Sequence, residues 1–275
     1  MQHGVWLRCD EATDPADLID LAIAAEEAGW NGVFVSDSFP FQEFPDPMVT
    51  LAGMATNTEE LTLGTWVVPV PRRQPAQFAM EVATLDRLAD GRLLVGCGLG
   101  NDPDYPAFGT PYDPPTLADR FDEALDVITR LWTGEPLTYS GDHFTLDEAE
   151  VDPTPVQDPR VPLLMGAWWP NKKPFHRGAR WDGIMPFMAS LTDDEIGPHG
   201  EEPTGSPEEE VREMLTYYHE IADDPGDILI PMVPTDDQRS FLEVCDDLGV
   251  TWVLTTDVVG PDATTDLREG PPPNP

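Results

Sequence analysis

The chain has 275 residues, with 15 Lys and Arg set against 52 Asp and Glu, for a formal net charge of −37. That balance excludes a basic surface for nucleic acid, and no acidic run is longer than Glu208-Glu209-Glu210, so the charge is spread over the chain and is not an acidic tail. At molar salt the screening length falls to about 3 Å and such a surface stops repelling itself, which is the composition expected of a halophile's cytoplasmic protein.

The apolar fraction of 40 %, with 8 Trp, 11 Phe and 9 Met, suffices for the core of one large α/β barrel or of two ordinary domains. No run reaches the length of a membrane span, and the start MQHGVWLRCDEATD lacks the basic and apolar regions of a signal peptide. Cys9, Cys97 and Cys245 are odd in number and far apart, and read as reduced thiols. The five histidines share no ligand spacing, so no metal site is expected.

In chain order, residues 4–8 form a first strand. Asp14-Pro15 then opens a helix with Leu18, Leu21, Ala22 and Ala25 on one face, closed by Gly29. A buried strand at 32–36 and a helix at 46–57 lead to a third strand at 61–68. Pro75 starts a helix whose stripe is Phe78, Val82, Leu85 and Leu88, and a fourth strand follows at 92–98. Thr116 and Asp119 have the spacing of a capping box for a helix carrying Leu117, Phe121, Leu125, Ile128 and Leu131. Residues 133–160, rich in Pro, Gly and Asp, read as an excursion containing a small hairpin. The alternation resumes with strands at 161–167, 183–188, 227–233 and 251–256, and with helices near 172–181, 206–223 and 236–248. Ser206-Pro207 with Glu209, and Thr235 with Gln238, mark the starts of the last two helices.

Eight apolar strands separated by amphipathic helices imply a parallel sheet covered on both sides. In this length they favour a closed (β/α)8 TIM barrel. Residues 1–260 would form that single domain. Residues 261–275 would be a Pro-rich flexible tail, leaving the last helix truncated or missing.

In such a barrel the active site lies at the C-terminal ends of the strands. Those ends collect apolar and aromatic residues, with no nucleophile paired to a base. Asp37, flanked by apolar VFVS, is the first candidate for a proton-transferring acid. The only two lysines, Lys172 and Lys173, begin a helix after the fifth strand, where free amides and the helix dipole favour an anion.

LAGMATNTEELTLGTWVVPVPRRQPAQFAMEVATLDRLADGRLLVGCGLGND, followed by RFDEALDVITRLWTGEP, resembles the luciferase-like family of flavin-dependent oxidoreductases in the order and spacing of its motifs. The resemblance implies a TIM barrel, often a homodimer, that uses reduced FMN or the deazaflavin coenzyme F420. It places Trp66 and Val67 where members carry a non-prolyl cis peptide behind the flavin ring, and Asn101 where cofactor or substrate is touched. Gly166, Ala167, Trp168 and Trp169 match a loop whose backbone holds the cofactor phosphate, with Lys172 and Lys173 adding charge. Asp37 matches an acid common in the deazaflavin branch, where the next residue is a catalytic His; here it is Ser38. The resemblance thus implies an FMN-dependent monooxygenase acting on a small organic substrate, with Asp37 and Ser38 as the catalytic candidates. An F420-dependent hydride-transfer enzyme and a non-catalytic flavin-binding protein on the same barrel are the alternatives.

Overall fold

A computed structural model describes residues 1–7, 14–37, 45–102, 105–106, 109–191, 205–232, 238–256 and 263–275. The barrel strands are β1 (Gln2–Leu7), β2 (Gly32–Val35), β3 (Thr62–Pro69), β4 (Leu93–Gly98), β7 (Leu163–Trp168), β8 (Gly183–Phe187), β9 (Asp227–Met232) and β10 (Trp252–Thr255). They pair in parallel and close in the order β1-β10-β9-β8-β7-β4-β3-β2. The helices between and after them are α1 (Pro15–Glu27), α2 (Pro47–Ala55), α3 (Pro75–Leu88), α4 (Pro114–Leu131), α5 (Lys172–Gly178), α6 (Pro207–Ile221), α7 (Gln238–Asp247) and α8 (Ala263–Arg268). The excursion is an antiparallel hairpin of β5 (Leu137–Ser140) and β6 (Thr145–Ala149), outside the barrel.

The barrel interior is filled by large side chains set against glycines. Gly4, Gly32, Gly64 and Gly96 come from the first four strands. Leu254, with the Phe34 ring behind it, lies where a Cβ at Gly4 would stand, Phe34 where one at Gly64 would, Trp252 where one at Gly32 would, and Met185 where one at Gly96 would. These rings, with Leu94, Leu164, Leu229 and Leu254, make a dry inner cluster distinct from the two larger cores between sheet and helices. An extra methyl at Gly96 would also meet the backbone carbonyl of Thr65, which cannot turn aside.

Local signals act as their chemistry dictates. Asp14 caps α1 in a capping box with Asp17, and Gly29 takes φ +87° just beyond the helix. Ser206 and Glu209 form the capping box of α6. The box expected at Thr116 and Asp119 does not start α4. The helix begins two residues earlier at Pro114, after Asp113, and Thr116 turns back to bond the Asp113 carboxylate. Pro114 and Pro115 both fit the first helical turn, where no backbone donor is needed, so the start moves upstream to them. Thr235 lies outside the described residues.

The tail departs from expectation. Its six-residue α8 packs on α1, with Leu267 fully buried and its carbonyl accepting from Trp30 Nε1 at 2.9 Å. Asn274 reaches His3 Nε2 at 2.8 Å and the Met1 carbonyl at 3.2 Å. Buried Leu267, the indole bond and the Asn274 bonds hold a segment that composition alone marks as loose. Burial lowers the His3 pKa against the opposing bond from Asn274.

Carboxylates do much of the loop anchoring. Glu26 accepts the backbone amides of Glu59, Glu60 and Leu61 at 2.9, 2.7 and 2.9 Å. Fully buried Asp86 holds the amides of Val156 and Gln157, and Glu123 gathers those of Asp142, His143 and Phe144 under the hairpin. Burial works against the Glu26 charge, but the three amides and Arg92 outweigh it and hold the carboxyl below its ordinary range. A folded-state pKa below the unfolded one contributes stability that is present above the ordinary Glu range and lost as pH falls through the folded value.

Glu26→Gln should therefore cost about 1.5 kcal/mol near neutral pH, and its deficit should vanish on acidification, when urea unfolding is followed at molar salt across pH. Leu267→Ala should cost about 3 kcal/mol in the same assay, where a flexible tail would give no change.

Candidate active site at the barrel mouth

The C-terminal ends of β1, β2, β3, β4, β7 and β8 bring together a layer of aromatic rings. Trp6 and Gly4 share a face of β1 by the two-residue period of a strand, so Trp6 stands one layer above the glycine. Its Nε1 donates to Ser36 Oγ at 2.7 Å, and that hydroxyl donates to the Trp66 carbonyl at 2.9 Å. The Trp66–Val67 peptide is cis, where the register of β3 on β4 shifts between Thr65 and Val68. Val67 then lies across two glycines: a Cβ at Gly98 would stand 2.6 Å from Val67 Cγ2, and one at Gly166 3.3 Å from it.

Around that turn the rings are fixed by one another. Phe187 meets Trp66 edge-on at 5.0 Å and stacks on Trp168 at 5.6 Å and 8°, while Trp6 lies 6.1 Å from Trp66. Two polar atoms in this layer are left over. Trp66 Nε1 and Trp168 Nε1 are buried with no hydrogen-bond partner. The layer therefore combines π faces, small residues and two buried neutral donors.

Asp37 is not an isolated acid in an apolar pocket. Its side chain is buried and accepts from the Arg72 guanidinium and from Arg73 Nη2 at 2.7 Å; Arg73 also reaches Glu81 at 3.2 Å. Burial opposes the Arg73 charge, yet Asp37, Asp46 and Glu81 together raise its pKa above the ordinary value. The pairing of β2 with β3 brings these groups together, and it makes Asp37 a clamp between two strand ends. Ser38 lies outside the described residues. Asn101 is exposed just beyond β4.

The segment after β7 divides between inside and outside. Gly166, Ala167 and Trp168 belong to the strand, in register with Met185, Pro186 and Phe187. Trp169 faces away from the mouth and packs edge-on against Phe175, 5.5 Å away, in the outer core. Its amide is taken by the Phe187 carbonyl at 2.8 Å, and that of Asn171 by the Trp168 carbonyl at 2.9 Å. Lys172 Nζ sits 4.0 Å over the Tyr217 ring, while Lys173 is exposed. Arg177 and Arg180, from the same cation-rich stretch, both bind Asp122 of α4. Sequence reasoning missed Trp6 and the Asp37 clamp; the first was readable from strand alternation with Gly4, the second required knowing which strands neighbour.

Among the described residues no three His, Cys, Asp or Glu converge as a metal site, and no helix is long and apolar enough to cross a membrane. Burial pushes the Cys97 thiol up, and that of Cys245 up to about 12, so neither is poised as a nucleophile.

A profile of the luciferase-like monooxygenases matches residues 1–222. An F420-dependent glucose-6-phosphate dehydrogenase of Intrasporangium calvum is 34 % identical over 60 % of this chain and 52 % of its own; the chain thus spans about half the length of that relative. A protein of the same name from Kineococcus radiotolerans is 29 % identical over 91 % of this chain and 81 % of its own. The crystal structure of monooxygenase RslO1 from Streptomyces bottropensis superposes with a TM-score of 0.77 at 21 % identity, covering 98 % of this chain and 97 % of that one.

If Asp37 is a clamp, Asp37→Asn leaves two guanidinium groups without their shared carboxylate and should lower stability by about 3 kcal/mol. Thermal unfolding at molar salt checks this, and an unshifted midpoint would rule the clamp out.

Proposed function

The chain belongs to the luciferase-like monooxygenase family, and on that premise we propose that it is an oxidoreductase that lays a flavin-type ring across the barrel mouth. The observation that carries this reading is the Val67 platform. Two glycine positions, 98 and 166, leave room for nothing larger beside Val67, and aromatic rings wall the surface. Such a floor suits a planar ring, and the absence of a nucleophile–base pair among the described residues fits a reaction whose electrons come from a bound group.

Deazaflavin F420 is the cofactor we favour. Both relatives described above are named as F420-dependent, and Asp37 stands where the deazaflavin branch carries an acid. When bound, F420 supplies a two-electron hydride acceptor and donor. The chain's own residues would orient the ring on Val67, and Trp6, Trp168 and Phe187 would keep water from it. Exposed Lys173 would add a cation at the cofactor's charged end. The second reading, reduced FMN with oxygen, is favoured by Ser38 standing where a catalytic His would serve the deazaflavin branch. A homodimer belongs to the same proposal, and exposed Val49 of α2 and Met80 of α3 are apolar positions it could cover.

Titration of F420 and of FMN at molar salt, followed by ligand fluorescence, tests the assignment. F420 should bind at least about tenfold more tightly, and the absence of binding by either ligand would defeat the proposal. Gly98→Ala pushes the Val67 side chain into the ring's space and should weaken binding about tenfold, ~1.4 kcal/mol, with little change in the circular dichroism spectrum. Binding without turnover of any reductant or oxidant would favour a storage role.

A further inference from the structure

One buried hydroxyl stands between the barrel core and the ring layer above it. Strand alternation puts Ser36 on the face of β2 that carries Phe34 into the inner cluster, while Asp37, one residue on, turns to Arg72 and Arg73. β2 lies between β1 and β3, and the Ser36 hydroxyl reaches both. It accepts from Trp6 Nε1 of β1 at 2.7 Å and donates to the Trp66 carbonyl of β3 at 2.9 Å. The direction of both bonds is forced. An indole N–H can only donate, so the hydroxyl accepts from it, and its single proton is left for the carbonyl.

That carbonyl belongs to the turn on which the Val67 platform depends. β3 pairs with β2 as far as Thr65, and its register on β4 passes from Thr65 to Val68, so Trp66 and Val67 stand outside both registers. Ser36 brings the buried Trp66 carbonyl a donor there. The atoms of a peptide unit share one plane, so a bond that fixes the Trp66 carbonyl also fixes the direction in which Val67 leaves it. Val67 has little room to turn: its Cγ2 is 2.6 Å from where a Cβ at Gly98 would stand and 3.3 Å from one at Gly166. The same hydroxyl orients Trp6, whose ring lies 6.1 Å from Trp66 and meets Phe187 edge-on at 6.2 Å. The end of β2 already has a separate brace in the bonds of Asp37 to Arg72 and Arg73, so the hydroxyl is not what holds that strand in place.

We propose that Ser36 is a positioning residue of the mouth: through the Trp66 carbonyl and the Trp6 indole, its hydroxyl sets the Val67 platform and the ring layer on which a flavin-type ring lies. Its effect on cofactor binding rests on the oxidoreductase function proposed above, whereas its effect on the ring layer does not. The task needs an acceptor and a donor on one atom, which a serine or threonine hydroxyl supplies and an alanine methyl does not.

The experiment uses the full chain at molar salt with Ser36→Ala, Ser36→Thr and Leu267→Ala, the last weakening the fold at α1 and not at the mouth. The first readout needs no cofactor. In 15N-tryptophan protein the indole N–H signals of Trp6 and Trp66, assigned by Trp6→Phe and Trp66→Phe, should both move in Ser36→Ala. Trp6 loses its acceptor, and the Trp66 N–H, which has no partner of its own, reports the position of its ring against Phe187. A Trp66 signal that stays in place overturns the inference. The second readout is the affinity for F420 and FMN, followed by ligand fluorescence well below the unfolding midpoint. For the ligand that binds the unaltered chain, Ser36→Ala should weaken binding about fivefold and Ser36→Thr should stay within about twofold. Unchanged affinity in Ser36→Ala, an equal loss in Ser36→Thr, or an equal loss in Leu267→Ala makes the hydroxyl merely structural and overturns the inference. Should neither ligand bind the unaltered chain, the oxidoreductase proposal fails, and the Trp66 signal still decides whether Ser36 sets the ring layer.

Discussion

Closing eight short strands into a barrel leaves a narrow interior, and this chain fills it by setting whole rings against positions with no side chain. Leu254 and Phe34 occupy the space beside Gly4, Phe34 that beside Gly64, Trp252 that beside Gly32, and Met185 that beside Gly96. The arrangement fixes the register of neighbouring strands, because sliding by one residue would drive a Cβ into a ring or turn the rings towards the helices. It also fixes the layer above. Trp6, Trp66 and Phe187 stand on this packed floor and on one another. A site built on strands held this way has its geometry fixed by packing, with the Trp6–Ser36–Trp66 hydrogen bonds added to it.

Charge follows a different logic from packing. With so few cations, the chain places its arginines where two carboxylates or a ring can share them: Arg73 serves Asp37, Asp46 and Glu81, and Asp122 takes both Arg177 and Arg180. Acidic side chains replace cations in a second way by gripping backbone amides, as Glu26, Asp86 and Glu123 do. Each hook meets several orphan donors at a loop, so part of the acidic excess is structural and the remainder is surface that salt must screen.

These two logics meet at the mouth. The ion pairs brace its edge at Asp37, while its floor stays apolar and holds two neutral donors without partners. That division fits the proposed ring on the floor, with the chain's own side chains orienting it and excluding water.

The strands and most helices were legible because burial on both faces writes continuous apolar runs, and because Pro, Ser, Asp and Gly mark helix ends by local chemistry; Asp14-Pro15 and Ser206-Pro207 act within one turn of chain. Where two start signals competed, as at Asp113-Pro114-Pro115 and Thr116, the prolines prevailed because their fixed φ already suits a first turn. The family motifs, read against the barrel, also located the Trp66–Val67 turn. Legibility ended where a residue's role depends on a partner remote in sequence. Asp37 became a clamp only because β2 lies beside β3, Lys172 settled on Tyr217 because α6 packs beside α5, and the Pro-rich tail was held because Leu267 found a pocket on α1. By itself the sequence determined the elements, their order and the family, since those are written in local pattern. Only the tertiary structure decided which charges are spent on each other and which indoles remain unmet, since both depend on contacts that no local pattern encodes.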